Sequence, residues 1–323
     1  MNRLRLTHAF VLTLLAVLGT ACSQDERDLP QPGQPIREPL QISIASPRMN
    51  VTRSTSDGDG NTWAGGEHIT LVVGNNIVAG TPTTITDHVY TVNGSGTSQS
   101  LTALNLTNTN FWTSTSETKK IMGAWSYGTT TAPALTSHTL TAYTLANPQT
   151  NTTGELLYAP ATSQQAYTAV PNSFALTFYH QLAKVVFLVK SDATATVSTP
   201  VMTIPGSGTL TSPDDDGSYD AAWTPASTDA SITPHTESPT TTETADGVIA
   251  KYSAVIIPGD YSGKTLLSLN VGSTTYNYTG GTEVDNLKSG KRYTITVTVR
   301  NKLVVNAIAV NAWTTGSNIT MAL

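Results

Sequence analysis

Beyond Leu40 the apolar residues of this chain recur at every second position, and that period restricts its fold more than anything else in the sequence. Tyr293, Ile295, Val297 and Val299 share one face of an extended segment, while Thr294, Thr296 and Thr298 occupy the other, as in a half-buried strand. Leu267, Leu269 and Val271 alternate up to Gly272-Ser273, and Tyr276 and Tyr278 alternate after it. A two-residue link between alternating runs predicts a tight hairpin. Asn93-Gly94 and Asp214-Asp215-Asp216-Gly217 predict further turns. No long stretch keeps the roughly 3.6-residue period of an amphipathic helix. Threonine, abundant throughout, favours extended backbone through its branched Cβ. The expected class is all-β, a sandwich or barrel.

The first forty residues follow different rules. Arg3 and Arg5 precede an apolar run at residues 9–18, and the small residues Gly19-Thr20-Ala21 lead directly to Cys22. That order spells a secretory signal, too short to span a bilayer as a helix. A cysteine in this place resembles a lipobox, in which the thiol is acylated and becomes the new N-terminus. Leu18 stands one place earlier than that pattern prefers, with Gly19 in its slot. Cys22 is the only cysteine, so neither an internal disulfide nor a cysteine-based metal cluster can form. Residues 1–21 are therefore expected as a signal peptide. Residues 22–40, with Pro30, Pro32, Pro35 and Pro39, are expected as an extended tether. Ser23-Gln24-Asp25-Glu26 resembles the surface-export signal of outer-membrane lipoproteins, so the expected location is the outer membrane and cell surface. A boundary near Val170-Pro171-Asn172 would divide an N-terminal β domain, 41–172, from a C-terminal one, 173–323.

Searching for chemistry eliminates most classes. The net charge of -5 offers no basic face for a phosphate backbone, so nucleic acid is not an expected partner. Gly259-Asp260-Tyr261-Ser262-Gly263-Lys264-Thr265 is one residue short of a phosphate loop and leads into a hairpin rather than a helix, so it reads as a turn. Asp57, Asp59 and Asn61 begin a calcium-loop spacing, but the closing position holds His68 instead of glutamate. Ser116-Glu117-Thr118-Lys119 matches a penicillin-site tetrad without its partner motifs. The six histidines form no close pair suited to zinc, and His180, between apolar neighbours, reads as a core or sheet residue. No catalytic residue, metal or cofactor is expected. Trp63, Trp112, Trp125 and Trp223 leave a rival function open, that of a monomeric surface lipoprotein stacking glycans on its aromatic rings.

Four segments resemble the fimbrillin (Mfa-like) family, the pilins of type V pili. Thr52-Arg53 followed by Trp63-Ala64-Gly65-Gly66-Glu67-His68-Ile69 resembles the family's opening, with Glu67 in place of the usual aspartate. Glu155-Leu156-Leu157-Tyr158-Ala159 is similar to the segment before the second domain. Leu176-Thr177-Phe178-Tyr179-His180-Gln181-Leu182-Ala183-Lys184 resembles the Leu-x-Phe-x-His-x-x-Ala-Lys hallmark. Ile256-Ile257-Pro258, Leu287-Lys288-Ser289-Gly290-Lys291-Arg292-Tyr293, Ile308 and Trp313 resemble the C-terminal signature.

This resemblance implies two β-sandwich-like, transthyretin-like domains and a structural fimbrial subunit that supports adhesion. It implies a lipidated precursor, removal of a first strand by an arginine-specific protease, and filling of the vacated groove by another subunit's strand. Gln41-Ile42-Ser43-Ile44-Ala45 alternates and is the expected removable strand, with Ile42 and Ile44 on its apolar face. Arg53 is the expected cleavage point and Arg48 its alternative. Residues 303–313 are apolar on both faces, with Val304, Ile308 and Val310 on one, and suit a donated strand or one held between layers. Expected partners are other fimbrial subunits, the outer membrane through the lipid, and a host or bacterial surface ligand.

Overall fold

The computed structural model describes residues 35–44, 63, 65–95, 99–103, 111–127, 139–150, 156–168, 173–191, 196–299, 303–312 and 319–322. The signal peptide, Cys22, Arg48, Arg53, the calcium-like Asp57, Asp59 and Asn61, and Trp313 lie outside the described residues.

The protein is all-β, as the period of two requires. Its first strands are β1 (Pro35–Pro39), β2 (Gln41–Ile44), β3 (His68–Val78), β4 (Thr81–Val92), β5 (Gln99–Ala103), β6 (Phe111–Ser114), β7 (Thr118–Ser126) and β8 (Leu140–Thr144). Then come β9 (Leu157–Ala159), β10 (Gln165–Ala166), β11 (Ser173–Leu176), β12 (Tyr179–His180), β13 (Ala183–Ser191), β14 (Val197–Pro205), β15 (Ser207–Ser212) and β16 (Ala222–Pro225). The last are β17 (Asp229–Ile232), β18 (His235–Glu237), β19 (Val248–Ile256), β20 (Thr265–Val271), β21 (Thr274–Thr279), β22 (Lys291–Val299), β23 (Leu303–Ala312) and β24 (Ile319–Ala322). Among the described residues a short α-helix, α1 (Thr241–Ala245), is held by a capping box in which Thr240 and Glu243 satisfy each other's backbone N–H.

A nine-stranded sheet runs β11-β2-β5-β4-β3-β7-β9-β12, with β10 also on β7. A six-stranded sheet runs β18-β19-β13-β22-β23-β24, a four-stranded one β17-β14-β20-β21, and a three-stranded one β16-β15-β8. The turns expected at Asn93-Gly94, 214–217 and Gly272-Ser273 are present, with Gly94, Gly217 and Gly272 at positive φ.

Among the described residues, buried apolar side chains form two clusters. A register shift between Ile121 and Gly123 brings Ile121 and Ala124 of β7 to the same face, in the first cluster with Trp63, Ile69 and Leu71, while Trp125, and Tyr127 just beyond the strand, join the second. Leu157 and Ala159 of β9 likewise face the first cluster and Tyr158 the second. The β7–β9 pair is thus apolar on both faces, which explains why Leu156-Leu157-Tyr158-Ala159 is a continuous apolar run rather than an alternating one.

Hydrogen bonding does not break at residue 172. β11 and β12, beyond that point, belong to the nine-stranded sheet, and Phe174, Leu176 and Phe178 belong to the first cluster. β8, before it, pairs with β15, and Leu140 and Tyr143 belong to the second cluster. The expected tether also ends early, because Pro35–Pro39 pairs with Phe111–Ser114.

One tight corner gives a direct test of packing. A Cβ on buried Gly280 would lie 2.6 Å from the Tyr261 carbonyl oxygen and 2.5 Å from Val284 Cγ2. Gly280→Ala is expected to cost about 1–3 kcal/mol, read as a lower urea midpoint at unchanged slope. An unchanged midpoint would mean that the 261–284 corner gives way freely.

Candidate assembly slot in the first sheet

The expected removable strand sits where removal matters. β2 lies between β11, with which it pairs in parallel from Ser173↔Gln41 to Leu176↔Ile44, and β5, which it meets antiparallel at Ser43↔Ser100 and Ile44↔Gln99. Its pleat exposes Gln41 and Ser43 and buries Ile42 and Ile44, which are 4% and 0% exposed, and Leu40 just before it is buried too. All three side chains belong to the first cluster. On the outer face, Ser173 Oγ donates to Ser43 Oγ at 2.9 Å. Without β2, the facing edges of β5 and β11 would lose their partner above an apolar floor.

Chain order isolates this strand further. β1 and β2 precede residues 45–62, in which Arg48 and Arg53 both lie, and the next described residue is Trp63. Trp63 is 1% exposed and meets Phe178 edge-on at 5.4 Å between ring centroids, so the chain after that interval begins on a fixed anchor.

At the other end, β23 pairs with β22 from Lys291↔Ala312 to Val299↔Leu303, and with β24 over residues 307–310. Ile308 is 1% exposed, and Val310 packs on the second cluster. A register shift opposite Thr296/Val297 pairs Val304 with Thr298 and Ile308 with Ile295, so the single unbroken alternation expected for Val304, Ile308 and Val310 is interrupted.

The family-hallmark segment around residue 181 has a structural use. Gln181, fully buried, donates from Nε2 to the Asp214 carbonyl oxygen and accepts at Oε1 from the Asp214 N–H, and its own carbonyl accepts from Trp223 Nε1. Asp214 in turn accepts the N–H groups of Asp216, Gly217 and Tyr219 on its carboxylate, and burial pushes that carboxyl up against their pull. Sequence reasoning found the turn but missed Gln181 as its clamp, since a lone glutamine has no spacing signal. The carboxylates of Asp214 and Asp216, in the predicted turn, and of Asp220 just beyond it approach within 4.8 Å of one another.

Other readings are resolved by burial. His180 is 1% exposed in β12 opposite Leu157. Lys264, in the segment resembling a phosphate loop, pairs with both oxygens of Asp229 at 2.8 and 2.9 Å. Trp63, Trp112 and Trp125 are core, at 1%, 4% and 0% exposure, so they offer no stacking surface for a sugar. Trp223, half-buried against Tyr143, lines a cleft of about 400 Å³ with Tyr219, Asp220, Asn286 and Lys288. Among the described residues, no helix is long and apolar enough to cross a membrane.

A family model described as fimbrillin-like matches residues 52–314. The chain belongs to the fimbrillin-like family. The matched span begins beyond β2. The crystal structure of a candidate cell adhesion protein from Bacteroides uniformis is similar, with a TM-score of 0.59 at 18% identity, over 87% of this chain and 100% of that one. One from Bacteroides ovatus gives 0.57 at 18% identity, also over 87% and 100%. One from Bacteroides fragilis gives 0.50 at 16%, over 88% and 100%. At these identities the likeness establishes a shared fold. No curated protein matches the chain.

Proposed function

We propose that this fimbrillin-like chain is a structural subunit of a surface fimbrium. It is exported with a lipid on Cys22, held at the outer membrane, and assembled by exchanging β2 for a strand of another subunit. The observation that carries this reading is the position of β2: an apolar strand, paired on both sides, on the N-terminal side of both candidate cleavage arginines. Cutting after Arg53, or after Arg48, would sever it from everything it is packed against except through hydrogen bonds and burial. A strand from a second subunit would recover the same main-chain bonds and fill the same pockets. We take residues 303–312, with Val304, Ile308 and Val310, as the donated strand. Its long ladder with β22 must open for this, so its release is the costly step. Family membership supports a structural rather than a catalytic role, and a cell-surface location with other fimbrial subunits as partners. The adhesion ligand would be a molecule of a host or bacterial surface.

Arg53→Ala should leave export intact and abolish fibres, with the full-length lipidated chain accumulating at the surface. N-terminal sequencing of wild-type fibres should begin at Ser54. A start at Met49 would move the site to Arg48, and fibres whose subunits retain residues 41–44 would end the exchange reading.

A further inference from the structure

Outside the slot, one buried constellation remains unexplained by packing. Asn75 of β3 and Lys119 of β7 are direct cross-strand partners. Lys119 Nζ donates to Asn75 Oδ1 and, at 2.7 Å, to Glu117 Oε1. Asn75, Lys119 and Glu117 are 8%, 3% and 5% exposed. The second oxygen of Glu117 accepts the Thr113 N–H at 2.7 Å and the Thr113 hydroxyl at 3.1 Å, which fixes Oε1 toward the lysine. The Trp112 ring lies 5.7 Å from Nζ. Asn75 Nδ2 points away from the lysine to Thr86 Oγ1, on the half-buried side of β4.

An amine, a carboxamide and a carboxylate held together away from water are the reactants and the proton carrier of an intramolecular amide transfer. The geometry points to a covalent isopeptide bond between Lys119 Nζ and Asn75 Cγ. The carbonyl carbon is one bond beyond the oxygen that Nζ already touches, so the reacting groups are pre-positioned by the β3–β7 register. Glu117 takes a proton from the Nζ ammonium, and the freed lone pair adds to Cγ while the carboxamide oxygen takes up the charge. Nζ gives up a second proton as the Cγ–Nδ2 bond breaks. Nδ2 leaves with both as ammonium, on the side of Thr86, and Glu117 ends as the carboxylate it began. No electrons change hands. The product exchanges a buried ammonium, costly to desolvate, for a neutral amide whose N–H still faces Glu117. It also ties together two strands of the sheet from which β2 is proposed to leave, although the bond does not depend on that proposal.

Mass spectrometry of the purified chain tests this directly. The expected result is an intact mass lower than the sequence by one ammonia, and a digest containing one linked peptide with Asn75 and Lys119. Lys119→Arg keeps the charge but cannot acylate, so it should restore the full mass, and so should Glu117→Gln. The linked peptide from the wild-type chain decides the matter even if a variant misfolds. A wild-type mass equal to the sequence overturns the proposal. Ammonia loss that persists in Lys119→Arg reports cyclisation of Asn75 on its own backbone and overturns it equally.

Discussion

Ile44→Asp should release β2 from its sheet while the rest of the protein stays folded. Leu40, Ile42 and Ile44 are the buried side chains that hold this end of the chain, at 5%, 4% and 0% exposure. At about 1.5–3 kcal/mol each, they contribute on the order of 5–9 kcal/mol before ordering costs. The substitution removes about a third of that and sets an unpaired carboxylate among Ile69, Leu71 and Phe174, a penalty of several kcal/mol more. Together these exceed what the remaining two side chains and the short ladders to β5 and β11 return. The second cluster, built from other strands, does not include β2 and should survive. Hydrogen exchange should then be fast across residues 41–44 and raised in β5 and β11, with β13, β19 and β22 unchanged. Two open edges in one sheet invite pairing, so uncleaved Ile44→Asp should self-associate with rising concentration where the wild type does not. Ile44→Val, at about 0.5–1.5 kcal/mol, should leave the strand docked. If residues 41–44 stay as protected in the Asp variant as in the wild type, β2 is an integral part of the sheet and not a removable one.

That strand illustrates what a sequence can and cannot disclose. The alternation of Gln41, Ile42, Ser43 and Ile44 was enough to predict a strand and its buried face, because a period of two is a local property. Its neighbours were not predictable. The parallel partner Ser173–Leu176 is far along the chain, and no local pattern encodes a non-local register. The same limit explains the boundary near 172, inferred from a change in composition, whereas β8 and β11 each pair across it. Burial on two faces is also invisible locally: Trp125 looks like a candidate for a surface platform until it is found tilted against Tyr158 at 4.6 Å within the second cluster. The tetrad ending at Lys119 was set aside because its partner motifs are absent. Its use became visible only when β3 brought Asn75 against it. By contrast, the rejection of 259–265 as a phosphate loop followed from local features, a spacing one residue short and a strand pattern after it, and β20 starts at Thr265 as that pattern required.

The buried tyrosines predict steep alkaline unfolding. Tyr158, Tyr261 and Tyr278 are 2%, 1% and 5% exposed, and burial first of all raises each phenol above its ordinary value of 10.0. Tyr158, with Asp215 nearby, is pushed up to about 12. Tyr261 donates to the Ile257 carbonyl at 2.6 Å, and Tyr278 to Glu283 Oε1 at 2.8 Å, where the carboxylate's charge raises it further. Below pH 10 both folded and unfolded chains keep these protons, and the full contribution to stability is present. Above it the unfolded chain ionises while the folded one does not, so the folded state binds more protons and stability falls as pH rises. Each phenol contributes a slope of about 1.4 kcal/mol per pH unit, roughly 4 for the three together, until Tyr158 reaches its own folded value. Over the two units from 10 to 12 that is on the order of 8 kcal/mol, comparable with the whole stability of an ordinary domain. The chain should therefore unfold cooperatively in this window, with phenolate absorbance and loss of near-ultraviolet dichroism rising together. Tyr158→Phe removes one phenol's share and should lower the slope of stability against pH by about 1.4 kcal/mol per pH unit at pH 10–12. Phenolate formation that runs to completion near pH 10 with the fold intact would show that these three rings are open to water, and with them the second cluster.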